Sequence, residues 1–170
     1  MRRLFPFFAL FVVMVLNAEA AERITAAQIK NYSEIERAFI LKVAENVLTS
    51  KAKMMFSDPE NAKDGYLWAR KVIVAHYSLL EDMAIKSNTK ALAVFYEDKK
   101  TLLERHIRGQ LSTDDFGRQE KLVETRKQLY LENLLSSATQ PTASDVKTLN
   151  ALALRLGDQI HGLSVIAISN

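Results

Sequence analysis

Near the C-terminal end of the chain, apolar residues recur at alternating spacings of three and four. The series is Val146, Leu149, Ala153, Leu156, Ile160 and Leu163. This is the a and d rhythm of a helix that buries one stripe against other helices, because residues three and four apart share one helical face. Since an isolated helix is only marginally stable in water, the pattern predicts a helical bundle.

Four further helical patterns precede this one. A capping-box spacing from Thr25 to Gln28 opens the first pattern, and Pro59 suits the first turn of the second. Whether the second and third patterns are continuous across Ser87–Thr89 stays open. The expected ranges are 25–56, 59 to about 86, about 89 to 109, and 112–137, with the last helix capped by Thr142 or Ser144.

The composition favours the same fold class. The chain has only 5 Gly and 3 Pro, and no segment alternates polar and apolar residues over the length of a strand. A domain of about 150 residues can bury about 70% of its unfolded surface without a metal or a disulfide. We therefore predict one all-α domain over residues 21–170, folded as an elongated bundle of four to five helices.

The first twenty residues have the order of a secretory signal peptide. Arg2 and Arg3 precede an apolar run from Leu4 to Leu16, and small residues end the segment at Ala20. The run is shorter than the ~20 residues that a membrane-spanning helix needs, so we expect cleavage after Ala20 and no stable membrane anchor. The chain has no cysteine, which excludes a lipid-anchored product and favours a periplasmic or secreted protein.

Charge gives little indication of an anionic partner. The chain has 23 basic and 20 acidic side chains, and loss of the signal peptide would leave a charge of only about +2. Basic residues such as Lys99 and Lys127 alternate with acidic residues such as Glu97 and Glu124, which predicts a solvated mixed face. Nucleic acid is therefore not an expected partner.

No pattern in the sequence carries catalysis. There is no Gly-x-Ser-x-Gly turn, no His-Glu-x-x-His pair and no glycine-rich phosphate loop, and cysteine nucleophiles are excluded. Adjacent carboxylates such as Glu81 and Asp82 point about 100° apart on a helix, so neither is placed to tune the other. We predict no catalytic residue, no bound cofactor and no enzymatic activity.

Histidines are the natural place to look for a metal site in a helical bundle. Asp158 and His161 are three residues apart and can share one face, which makes them the candidate metal ligands. A second such pair is absent, so we predict no metal site of the di-iron type. His76 fits a buried helix position, and His106 fits the C-terminal end of a helix.

The chain ends in a nearly uncharged segment from Leu163 to Ser169. Such a tail is expected to dock against the core or a partner, because a large exposed apolar surface marks an interaction site. The candidate partner-binding residues are Leu163, Val165, Ile166 and Ile168.

The segment Ile24-Thr25-Ala26-Ala27-Gln28 resembles the Leu-Thr-x-x-Gln element of the Spy-like periplasmic chaperones. The resemblance covers five residues and implies an all-helical holdase of the cell envelope. The leading hypothesis is instead a non-enzymatic periplasmic protein that contacts other envelope proteins. It would be an accessory or assembly component of an envelope or secretion apparatus, similar in general form to accessory subunits of type IV secretion systems. A metal- or haem-binding bundle is a further alternative, and homo-oligomerisation stays open.

Overall fold

The computed structural model describes residues 22–57, 64–139 and 141–170, and these residues are all-helical with no strand. The helices are α1 (Ala26–Lys30), α2 (Glu34–Ser57), α3 (Asp64–Lys86), α4 (Lys90–Ile107), α5 (Thr113–Ser137) and α6 (Ala143–Ser169). The all-α prediction is confirmed. The predicted signal peptide and the restart at Pro59 lie outside the described residues.

Helix starts follow the predicted caps. Thr25 forms a full capping box with Gln28, and Thr142 forms one with Asp145. The side chain of Ser112 accepts a hydrogen bond from the backbone N–H of Asp115 and caps α5. These contacts satisfy backbone N–H groups that have no partner inside the helix.

The prediction of one continuous helix from Thr25 to about Phe56 is wrong. The structure has two helices there, because residues 31–33 are not helical. The Ser33 backbone N–H donates to Glu36 Oε2 at 2.8 Å, and the Glu36 backbone N–H donates to Ser33 Oγ at 3.4 Å. This capping box starts α2, whereas α1 ends where the backbone N–H groups of Asn31 and Tyr32 donate to Gln28 O and Ile29 O. The apolar period runs through the break, so the hydrophobic pattern alone does not reveal it.

The second and third predicted helices are separate, because the helix is interrupted at Ser87–Thr89. Asn88 adopts a positive φ of 63°, the left-handed conformation that asparagine tolerates at the end of a helix. The Thr89 backbone N–H donates to Ala84 O at 2.7 Å, and the side chains of Ser87 and Thr89 are buried. Consequently α3 and α4 are separate helices that pack against each other.

The C-terminal helix α6 packs between α2 and α3. Leu149, Ala153, Leu156 and Ile160 are buried along the predicted seam. Gly157 permits the close approach of α2, because a Cβ at this position would lie 2.7 Å from Val47 Cβ. On the other side of the fold, α4 packs on α3 and α5 packs on α4.

By length and apolar composition, α6 is also the one helix of the described residues that could span a membrane, over Asp145–Ser169. Core helices of soluble proteins can satisfy the same criterion, and α6 buries its seam inside this fold.

The segment before α1 is fixed to α6 by side-chain hydrogen bonds. Gln159 accepts from the Ile24 backbone N–H at 2.8 Å and donates to Ile24 O at 3.0 Å. Arg155 donates to Glu22 O at 3.0 Å. Residues 22–24 are therefore part of the fold, and Arg23 lies beside α6.

Candidate functional site

A groove of about 630 Å³ lies between α3, α4 and the C-terminal half of α6. We name it the partner groove and define it by its apolar floor, which is formed by Val74, Ala75, Leu79, Ile107, Leu163 and Ile168. The α3 residues that line it, at positions 71, 74, 75, 78 and 79, follow the spacing of one helical face. An apolar face of α3 is therefore open where a further helix could pack.

Basic side chains surround this apolar floor. Arg23, Lys71 and Arg108 line the groove together with one acidic residue, Glu104. Glu104 is 3.7 Å from Arg108, whereas Arg23 and Lys71 have no ion-pair partner among the described residues. The rim thus has an excess of positive charge, although the protein as a whole is nearly neutral.

The structure divides the four candidate partner-binding residues between two places. Leu163 and Ile168 line the partner groove. Val165 is half-buried outside it, and Ile166 is 60% exposed outside it. The sequence identified the apolar tail but not the opposing walls on α3 and α4, because these come from residues far apart in the chain. Partner binding itself stays a prediction.

A second candidate site is the histidine pair, which consists of His76 on α3 and His161 on α6. His76 Nε2 lies 3.1 Å from His161 Nδ1, and His76 is only 2% exposed. Burial, aided by the nearby His161, lowers the pKa of His76 to about 4. Burial and the charge of Lys51 also lower the pKa of His161. Both rings are therefore neutral near pH 7.

The two candidate metal ligands, Asp158 and His161, have different partners in the structure. Asp158 forms an ion pair with Lys51 at 3.0 Å, while His161 turns to His76. His106 serves the turn between α4 and α5, since its Nδ1 lies 3.0 Å from Leu111 O and its ring stacks on Phe116. The described residues contain no group of three or more His, Cys, Asp or Glu side chains that could hold a metal.

A third polar cluster, which we name the ion ring, consists of Glu45, Lys99, Glu124 and Lys127. Lys127 Nζ lies 2.7 Å from both Glu45 carboxylate oxygens and 3.0 Å from Glu124 Oε2. Lys99 Nζ lies 2.9 Å from Glu124 Oε2 and 3.6 Å from Glu45 Oε1. Charges of alternating sign therefore form a closed circuit that joins α2, α4 and α5.

The ion ring corrects the prediction of a solvated mixed face at Lys99 and Lys127, whereas Arg118 and Arg126 of the same predicted face are exposed. Lys127 is 3% exposed and Glu45 is 5% exposed. Burial disfavours the charged form of Glu124, but hydrogen bonds from Lys99 and Lys127 outweigh it and lower the pKa of Glu124. Lys99 also lies over the Tyr77 ring at 5.3 Å from its centroid, so α3 is joined to the same cluster.

A cavity of about 170 Å³ separates the histidine pair from the ion ring. Its lining includes Glu45, Thr49, His76, Tyr77 and Glu120. One residue of each polar cluster, His76 and Glu45, thus lines the same cavity.

Comparison of the chain with protein-family models, with curated proteins and with solved structures finds no match.

Proposed function

We propose that this protein is a non-enzymatic component of the cell envelope that binds an amphipathic, acidic helix of another envelope protein in the partner groove. In this proposal the chain is exported to the periplasm, folds as an elongated bundle, and acts as an accessory or assembly component of an envelope or secretion apparatus. The observation that carries the proposal is an apolar groove between helices with a basic rim.

The shape of the groove supports a helical occupant. Helix-in-groove recognition places one apolar stripe of a partner helix on apolar walls supplied by neighbouring helices. Here Val74 and Leu79 on α3, Ile107 on α4, and Leu163 and Ile168 on α6 supply the apolar lining. A volume of about 630 Å³ holds several side chains.

The charges of the groove support an acidic partner. Arg23 and Lys71 are exposed and have no ion-pair partner among the described residues, so a carboxylate on the partner would not have to displace an existing acid. Such rim charges contribute mainly to the association rate and to the choice of partner, while the apolar floor supplies most of the affinity.

The test is site-specific photo-crosslinking in the cell. A photoreactive amino acid at Ala167, which lines the groove, is compared with the same amino acid at Leu154, which is 50% exposed on α6 and does not line it. We expect one or a few envelope proteins to crosslink from position 167 and not from position 154. Lys71→Glu should reduce the yield at position 167, because it reverses a rim charge.

The other outcomes separate the alternatives. Many unrelated proteins crosslinked at both positions would instead indicate a holdase chaperone, and crosslinks between copies of this chain would indicate a homo-oligomer. Recovery of the chain only with lipid, from the membrane fraction, would indicate that α6 inserts. Each of these results would overturn the proposal. Truncation after Gly162 would remove Leu163 and Ile168 from the partner groove, but it would also remove the fully buried Ser164 and so disturb the core. Point substitutions are therefore the better test.

A further inference from the structure

The two imidazoles of the histidine pair face each other across the interface of α3 and α6. His76 Nε2 and His161 Nδ1 are 3.1 Å apart, and the ring planes are inclined by 52°. One N–H···N hydrogen bond accounts for this contact in the metal-free chain. At the same separation, with metal–nitrogen bonds of about 2.0–2.1 Å, two nitrogens could share a metal ion at an angle of about 98°, between square-planar and tetrahedral values. Each ring would have to turn from its hydrogen-bonded orientation, with ring centroids 5.3 Å apart, so that both nitrogens point at the ion.

We propose that His76 and His161 chelate a divalent transition-metal ion of the copper and zinc type. This site is independent of the partner groove. Imidazole nitrogen is a preferred ligand of both metals, and affinity for such sites is generally highest for Cu²⁺. Two protein ligands leave further coordination positions for water, so the site would take up and release its ion rather than lock it in the core.

The surroundings of the pair are compatible with an ion. Both rings are neutral near pH 7, so binding requires no loss of a proton from the pair: the ring that donates the hydrogen bond carries its proton on its other nitrogen, and both rings turn toward the ion. The nearest cation, Lys51, is already paired with Asp158 at 3.0 Å. The cavity of about 170 Å³ is lined by His76 but not by His161, so metal-bound water would reach the ion from the side of His161, which is only partly buried.

Asp158 is the acidic residue nearest to His161 along α6, but it does not form a group of three ligands with the two histidines. It lies one helical turn before His161 on α6, and its side chain is 64% exposed. A carboxylate three residues before a histidine shares a helical face with it, so the negative charge of Asp158 favours a cation near His161 without ligating it. We assign it an auxiliary role, with His76 and His161 as the two ligands.

The test is titration of the chelator-treated, purified full chain with CuCl₂ and with ZnCl₂, followed by calorimetry and by electron paramagnetic resonance of the copper form. We expect one ion per chain and a spectrum that shows coupling to two imidazole nitrogens. His76→Gln and His161→Asn each preserve an amide near the position of the lost ring nitrogen. Loss of even a supporting group around a metal ligand typically lowers metal affinity or activity about 10–100-fold. We therefore expect each substitution to weaken metal binding at least about tenfold.

His106→Asn is the matched control, because His106 bonds to Leu111 O and lies outside the pair. It should leave the affinity unchanged, and Asp158→Asn should weaken it less than either ligand substitution does. Circular dichroism of every variant verifies the helical fold. Saturable binding that survives both His76→Gln and His161→Asn, or no saturable binding by the folded wild-type chain, would overturn the proposal.

Discussion

Two of the interfaces that α2 forms differ in composition: the one with α6 is mainly aliphatic, and the one with α4 and α5 contains the ion ring. Toward α6, the interface is aliphatic, with Ala44, Leu48, Ala153 and Leu156 all buried and Gly157 against Val47. Toward α4 and α5, the same helix buries Glu45 within the ion ring. The aliphatic interface supplies burial energy that depends little on direction. The ion ring is directional, because each cation must meet two carboxylates.

This difference indicates a division of roles. Removal of Glu45, Lys99 and Lys127 from water is costly, and attraction among the charges of the ion ring offsets that cost only where geometry is good. The aliphatic interface therefore accounts for most of the stability on the α6 side, while the ion ring fixes the alignment of α5 relative to α2 and α4. The comparison is testable, since the two interfaces should respond to substitution in different ways.

Lys127→Met has the largest expected effect. It leaves Glu45 buried with only Lys99 nearby, at 3.6 Å, and loss of one partner of a buried ion pair typically costs about 3–5 kcal/mol. We expect a loss of this size in the free energy of unfolding, measured by urea denaturation and followed by circular dichroism.

The double variant Glu45→Met with Lys127→Met is the control for this result. It removes both charges and leaves Lys99 paired with Glu124 at 2.9 Å, so it should recover most of the lost stability. A double variant as unstable as Lys127→Met would show that the ion ring stabilises the fold through packing and not through charge balance.

The contrast between the two interfaces also explains what the sequence could predict. Local signals identified the cap at Thr25 and limited the cap of α6 to Thr142 or Ser144, and the alternating three- and four-residue spacing identified the buried seam of α6. These signals arise within one turn or along one helix.

The polar clusters depend instead on contacts between distant parts of the chain. Glu45 and Lys127 are 82 residues apart, and His76 and His161 are 85 residues apart. Charged residues on a helix are expected to be solvated, so nothing local marks Lys127 as buried. The partner groove has the same origin, since its walls on α3 and α4 meet the predicted tail only after folding.

The free energy of unfolding should depend on pH through the histidine pair, in which His76 borders the cavity next to the ion ring. Folding lowers the pKa of His76 from its ordinary value of 6.5 to about 4, so the unfolded chain binds the extra proton between these values. Stability is therefore fully present above about pH 6.5 and falls as pH decreases. We expect a loss of about 2 kcal/mol between about pH 7.5 and pH 5 in chelator-treated protein, by urea denaturation.

His161 should add to this loss, because burial and the charge of Lys51 lower its pKa in the same direction. The ion ring responds in a lower range, since the lowered pKa of Glu124 means that its contribution is lost only below its ordinary value of 4.5. His76→Gln should remove the His76 contribution above pH 5. A variant with the same slope as the wild type would contradict the assignment to His76.

The smallest expected effects come from two glycines, which test how closely the aliphatic interface is packed. Gly157→Ala places a Cβ 2.7 Å from Val47 Cβ and 3.1 Å from Ala44 O, so α2 and α6 must separate. Overpacking of this kind costs about 1–3 kcal/mol, which exceeds the gain of up to about 1 kcal/mol in helix propensity. We expect a net loss of about 1 kcal/mol in the free energy of unfolding.

Gly117→Ala is the matched substitution on α5, where an added Cβ meets nothing within 4 Å. Only helix propensity acts there, so stability should rise by about 0.5–1 kcal/mol. Opposite signs for the same chemical change would show that close packing of the α2–α6 interface, and not helix propensity, determines the residue at position 157. Equal gains at both positions would mean that this interface has room to relax, and the aliphatic side would then be the more tolerant of the two interfaces.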